Sequence, residues 1–256
     1  MATTQDEAKK IRIEYYTDPL CCWSWSFEPQ WRKLRYEYSD SISWRYVMGG
    51  MLTDWNTYND TVNTINKPAQ MGPLWKEARH VSGMPINDRI WVEHPPRSSY
   101  PACLAVKAAE LQGITAGDRL LRKIREAVML RMMDVSDKQV LLQVAHELTE
   151  ECPDVLNYAQ FERDLSSKRS INLLKADLRK VRARGISRYP SLVFRKKGKR
   201  GIIITGYRPY HVLVEAIRKI QSDIMPTHSI RLQDYKKQWG NLTPREMAEV
   251  DAAVKY

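Results

Sequence analysis

Thiol chemistry needs a thiolate, and one cysteine in this chain stands where a thiolate is best stabilised. Cys21 lies in the run Asp18-Pro19-Leu20-Cys21-Cys22-Trp23-Ser24-Trp25, just after the alternating apolar stretch Ile11-Arg12-Ile13-Glu14-Tyr15-Tyr16. A cysteine in a strand-to-helix turn faces the free N–H groups and positive dipole end of the helix, which favour a negative sulfur. The position predicts an accessible, partly ionised nucleophile at Cys21. A dithiol centre would carry its second cysteine three residues on, but Ser24 stands there, and a hydroxyl cannot close a disulfide. Cys22 is a poor substitute, because the Cβ vectors of adjacent cysteines diverge and only a small, distorted ring could join them. These residues suit a thiol that forms a mixed disulfide and needs an outside thiol, either glutathione or a protein thiol, to release it.

The other chemistry-bearing residues are less suggestive. Cys103, in Pro101-Ala102-Cys103-Leu104-Ala105, falls on an apolar helix face, and Cys152 precedes Pro153 at a helix boundary. Both read as structural thiols. The five histidines are scattered and no Cys/His spacing matches a zinc site, so no metal is expected. Seven tryptophans (Trp23, Trp25, Trp31, Trp44, Trp55, Trp75, Trp91) crowd the first third of the chain. Most read as packing, with Trp23 the one placed to face a ligand.

The elements around the motif follow from the pattern. Residues 11–16 alternate as a first strand, and Phe27, Trp31, Leu34 and Tyr38 recur at helical spacing in one helix after Cys21. Ile42 to Met48 alternates again and stops at Gly49-Gly50. From 61 to 184 the period becomes helical, with segments over Ser98–Gln112, Asp118–Met133, Asp137–Glu150, Tyr158–Ser167 and Ile171–Arg184. Gly113, Gly117 and Pro153 supply breaks. Pro190–Arg195 and Gly201–Gly206 form a hairpin, and Pro209–Ser222 a closing helix. In the tail, Thr243, Pro244 and Glu246 carry the cap, first-turn proline and third-position glutamate of a further helix.

A chain of 256 residues can bury one large core or two modest ones. No apolar run approaches the roughly 20 residues that span a bilayer. The polar start, Met1 to Lys10, lacks an apolar signal core, which predicts a cytoplasmic protein. Net charge is +11, which invites a nucleic-acid reading. The cations, however, read as spread along helix faces among acids, and the densest run, Arg195 to Arg200, has the look of a solvated hairpin turn. Nucleic acid is therefore not the expected partner.

Strand, helix, strand, helical block, hairpin, helix is the order of a thioredoxin fold carrying a helical insertion. With its motifs, the chain resembles the DsbA-like family of thioredoxin-fold proteins, in the branch of cytosolic dithiol–disulfide isomerases. The resemblance rests on Asp18-Pro19-Leu20-Cys21 with Trp25 and Phe27-Glu28-Pro29, on Gly49-Gly50-Met51, and on Ser82-Gly83-Met84-Pro85. It continues through Ser99 to Ala109, Gly185 to Phe194 and Gly206-Tyr207-Arg208-Pro209-Tyr210. It implies an α/β, thioredoxin-like fold with a helical domain inserted after the second strand. Its parts would be an N-terminal part over 11–60, the insertion over 61–184, a C-terminal part over 185–222 and a helical tail over 223–256.

The resemblance also assigns roles. Cys21 takes the place of the family's nucleophile and Ser24 that of its second cysteine, with Cys22 and Trp23 in the substrate-facing turn. Pro190 takes the place of the family's cis-proline, whose preceding backbone binds an extended peptide or glutathione beside the cysteine. Tyr189 precedes it here, where the family more often has a smaller residue, and would narrow the site. Kappa-class glutathione transferases and hydroxychromene-carboxylate isomerases show a Ser-Trp pair similar to Ser24-Trp25. Their activating serine aligns with Cys21, so that match is partial, but it also points to glutathione.

Two readings follow. The first is a thiol–disulfide oxidoreductase acting through Cys21 as a monothiol, without a required cofactor and with glutathione or protein thiols as partners. The alternative is a redox-inactive thioredoxin-fold adaptor that holds a partner near Pro190, a change that family relatives acting as protease adaptors have made.

Overall fold

In a computed structural model that describes residues 10–254, the chain builds a four-stranded sheet flanked by helices. Strands β1 (Ile11–Thr17), β2 (Ile42–Met48), β3 (Ser191–Arg195) and β4 (Ile202–Thr205) lie in the order β2-β1-β3-β4. β1 runs parallel to β2 and antiparallel to β3, and β3 pairs antiparallel with β4. This is the thioredoxin arrangement, with every helix from residue 71 to 183 inserted between β2 and β3. β-branched and aromatic residues on alternate positions explain the strands: Ile11, Ile13 and Tyr15 are buried on one face, while Arg12 on the other is exposed.

Two helices follow β1 where the spacing suggests one. α1 (Cys22–Ser26) ends at Phe27, and α2 (Glu28–Glu37) starts afresh with Pro29 in its first turn. Proline is tolerated there because the first-turn N–H has no intrahelical partner. α2 sets Trp31 edge-on against Tyr15, with ring centroids 5.1 Å apart, and the Trp31 indole donates to Tyr46 Oη at 3.1 Å.

The insertion holds α3 (Met71–Ser82), α4 (Ile90–Glu93), α5 (Tyr100–Glu110), α6 (Ile114–Arg131), α7 (Lys138–Glu151), α8 (Tyr158–Asp164) and α9 (Lys168–Ala183). Gly117 is not a break; α6 passes through it, and the turn falls at Gly113 with φ +131°. α9 returns to the sheet, where Val181 packs with Tyr16, Val47 and Val193. The opposite face meets α2 and the closing helix α10 (Tyr210–Ile220), through Leu213, Ala216, Ile217 and Ile220. Among the described residues, no helix is long and apolar enough to cross a membrane.

The tail forms α11 (Leu232–Trp239) and α12 (Pro244–Val254). Its capping box is present: Thr243 N–H donates to Glu246 Oε2 at 2.8 Å and Glu246 N–H to Thr243 Oγ1 at 3.2 Å. The same carboxylate, only 1% exposed, also accepts from Arg32 at 2.9 Å and from Arg122 through two bonds of 3.0 Å. Burial alone would raise its pKa, but Arg32 and Arg122 pull it down to about 2. A carboxyl held below its unfolded value stabilises the fold at pH above that value and loses the contribution as pH falls towards the folded one. The tail should therefore undock as pH drops from about 4.5 towards about 2, seen as a change in Trp239 fluorescence. Glu246→Gln should cost about 3 kcal/mol at neutral pH, because it removes the buried charge that Arg32 and Arg122 share and leaves them only Glu28 and Glu126. Unchanged thermal stability in that variant would contradict this account.

Candidate active site

The turn between β1 and α1 is organised by Asp18. Its buried carboxylate accepts from Leu20 N–H at 2.9 Å, Met51 N–H at 2.7 Å and Ser99 Oγ at 2.9 Å. These donors come from the turn itself, from the chain just after β2 and from the residue before α5. Burial raises the Asp18 pKa and the donors oppose the rise. The carboxylate fixes the segment on which Cys21 stands.

Cys21 is the N-cap of α1, and its Sγ accepts from Ser24 N–H at 3.4 Å. The helix-start position is as the sequence implies, but the thiol's state is not. Cys21 is only 5% exposed, and burial pushes its pKa up against the nearby Ser24 and the Arg125 charge, with Asp18 adding to the rise. A five-residue helix offers little dipole to counter that loss of hydration. The thiol keeps its proton and donates to the Tyr189 carbonyl at 3.5 Å.

The other assigned residues gather around the sulfur. Ser24 is fully buried, and its Oγ makes no hydrogen bond of ordinary geometry, although its nearness still lowers the thiol's pKa. Cys22 belongs to the main core cluster, its pKa well above the usual thiol value through burial; all four cysteines are free thiols. Trp23 is half-buried, 6.0 Å from the Tyr207 ring. The Tyr189–Pro190 bond is cis, and Pro190 is buried. The Tyr189 ring lies flush on Gly49, where an added Cβ would meet it at 2.4 Å, and its hydroxyl donates to Gly49 O at 3.3 Å. Tyr189 thus closes down on the double glycine rather than projecting into solvent.

Of these residues Cys21, Cys22, Trp23 and Tyr189 line one cavity of about 680 Å³, and Ser24 and Pro190 lie outside its lining. Cys21, Cys22 and Trp23 form one side, Ile186 to Tyr189 a second, Tyr207 a third, and the loop Tyr58–Asn63 with Met71 and Trp75 the fourth. The loop wall was not evident from the sequence. Its signal is the run rich in Asn, Asp and Thr from Asp54 to Thr64, in which Asp54 and Asp60 each cap their own turn. Tyr207 was visible only as part of a motif; here Gln30 Nε2 donates to its hydroxyl at 3.1 Å. Asp18 opened the motif, but its bonds to Met51 and Ser99 leave no local trace. Arg208 is exposed and Tyr210 contacts Glu37, both away from the cavity lining.

The thioredoxin family model matches residues 15–215. The ClpXP adapter protein SpxH of Halalkalibacterium halodurans is 33% identical over 220 residues, covering 84% of this chain and 70% of that protein. Among solved structures, a candidate protein disulfide isomerase from Nitrosomonas europaea superposes with a TM-score of 0.66 at 24% identity, over 91% of this chain and 100% of that one. The cytosolic disulfide reductase DsbM of Pseudomonas aeruginosa superposes with a TM-score of 0.59 at 17% identity, over 95% and 99% of the two chains. A structure of DsbM with GSH gives 0.56 at 18% identity, over 75% and 89%. At these identities the structural likenesses establish the fold. The chain belongs to the thioredoxin family.

A protonated, buried Cys21 should react slowly with iodoacetamide at neutral pH. The rate should climb only in alkali, with a midpoint above that of free cysteine, as peptide mass spectrometry can follow. Fast labelling at neutral pH would mean that the thiolate is stabilised after all.

Proposed function

We propose that this chain is a polypeptide-binding adaptor built on a disulfide-exchange frame, with the cavity beside Cys21 holding its client. The observation that carries the reading is the setting of Cys21: buried, donating to the Tyr189 carbonyl, and without a second thiol at position 24. A neutral thiol is a weak nucleophile, and a mixed disulfide formed on it has no internal exit. The frame for binding is intact: an apolar-walled cavity beside the exposed Ser187-Arg188 segment, a setting in which an extended peptide can add as a strand. The 33% identical relative named as a ClpXP adapter supports the same direction and suggests presentation of the client to a protease. Work of that kind belongs in the cytoplasm and requires no cofactor.

A second reading is monothiol exchange with glutathione as co-substrate. It is favoured by the Ser24 N–H aimed at Cys21 Sγ and by a reductase of the same fold solved with GSH.

The readings separate in one assay with a fluorescent peptide carrying a glutathione mixed disulfide, in excess reduced glutathione. The adaptor reading expects fewer than one turnover per chain, and peptide binding that survives Cys21→Ser. Repeated turnover abolished by Cys21→Ser would overturn it in favour of exchange. A reporter fused to a bound peptide should also be degraded faster by ClpXP when the protein is added, and Trp23→Ala should reduce that gain. No acceleration would refute the protease-adaptor role.

A further inference from the structure

The excess positive charge is not spread along the chain, as its linear reading suggested. In the fifty residues from Leu165 to Val214 there are fourteen Lys and Arg and a single acid, Asp177; the other residues together carry a small negative excess. Asp177 is buried and spent, accepting from Lys107 at 2.8 Å and from Met48 N–H at 2.9 Å. The segment comprises α9, the cavity-lining Ile186–Tyr189 loop, the hairpin and the entry to α10.

The fold brings much of this charge to one surface. On the sheet face covered by α9, Glu14 is met by Arg45 at 2.8 Å, Lys180 at 2.7 Å and Arg184 at 2.9 Å. Three cations share one carboxylate, so the cluster keeps a positive surplus. Further along, Arg12 stands directly opposite Arg195 in the β1–β3 ladder, and both are exposed. Like charges directly opposed across strands work against the sheet, so packing does not account for this pair. Arg179 and Arg182 on α9 are also exposed, and among the described residues neither they nor Arg12 and Arg195 form an ion pair. Arg188 joins this surface to the cavity it lines.

We propose that this basic face binds an acidic stretch of the polypeptide whose neighbouring segment sits in the cavity. The proposal rests on the reading of the cavity as a polypeptide site and adds the charge of the partner. Rows of cations on a sheet and helix match carboxylates spaced along an extended chain, and raise its rate of capture as well as its specificity. Single-stranded nucleic acid would also need bases stacked on aromatic rings. Here Tyr16 is buried beneath α9, and the Tyr189 ring is laid on Gly49.

The test uses fluorescence anisotropy with the full chain and three labelled probes. One is an apolar peptide selected on the cavity, the second is that peptide extended by a glutamate run, and the third is the same extension in glutamine. The glutamate probe should bind at least about tenfold more tightly than the glutamine probe, with the advantage fading as salt rises from about 50 to about 200 mM. Replacing Arg12, Arg179, Arg182 and Arg195 by Gln should remove the advantage and leave the apolar probe unaffected. A set of Lys replacements at the same positions should retain it, which separates charge from folding. Equal binding of the glutamate and glutamine probes would overturn the proposal, as would tighter binding of a thymidine oligonucleotide than of the glutamate probe. Loss of the apolar probe alone, with a free glutamate peptide still held, would count against the cavity reading and leave the acidic preference standing.

Discussion

A carboxylate with no water around it must be paid in hydrogen bonds, and Asp18 is where the architecture meets that demand. Its acceptors are filled from three separate stretches: its own turn, the chain leaving β2 and the residue before α5. An unsatisfied ionised carboxyl at that depth would cost several kcal/mol. The arrangement therefore holds the thioredoxin half and the helical insertion in one relative position. Cys21, three residues on, inherits that position, and so do Gly49 and Gly50, between β2 and Met51. Gly50 has φ +59°, and an added Cβ there would strike the Tyr100 ring at 2.2 Å, so a side chain at that corner would push against the first turn of α5.

The same burial decides the chemistry of the sulfur. A helix start and a backbone N–H favour a thiolate, but they act here on a sulfur almost removed from solvent, and desolvation is the largest influence. The outcome is a donor to the Tyr189 carbonyl instead of an anion. With serine in the second position, the site keeps the geometry by which the fold grips a chain and lacks the pair by which it exchanges electrons. Tyr189 strengthens that balance, because its ring fills the space above Gly49 and its carbonyl occupies the thiol proton.

What could be seen in the sequence was what depends on neighbours in the chain. The strands alternate, the Thr243-Pro244-Arg245-Glu246 box caps its helix, and the order of elements gives the fold. Cys21, Cys22, Trp23 and Tyr189, chosen from motifs, come to one cavity. What could not be seen depends on partners far along the chain. Glu246 looks like an ordinary capping residue until Arg32 and Arg122 reach it from α2 and α6. The split at Phe27 was hidden because Phe27, Trp31 and Leu34 keep helical spacing across it, and only Pro29 marks the restart. The thiol's environment is not legible either, because position in a turn indicates the dipole but not the depth of burial.

Charge shows the same distinction from the other side. The cations of α9 interleave with apolar residues, which in a linear reading is the pattern of any amphipathic helix. Only the pairing register reveals that Arg12 and Arg195 face one another and that Glu14 is the single carboxylate among three cations. Buried arginines elsewhere, Arg32, Arg122 and Arg125, are each matched to Glu28 or Glu246. The molecule neutralises charge where burial demands it and leaves an excess on one solvent-facing surface. Such a surplus adds self-repulsion to the folded state, so its concentration in the segment that also lines the cavity is better explained by what binds there than by the stability of the sheet.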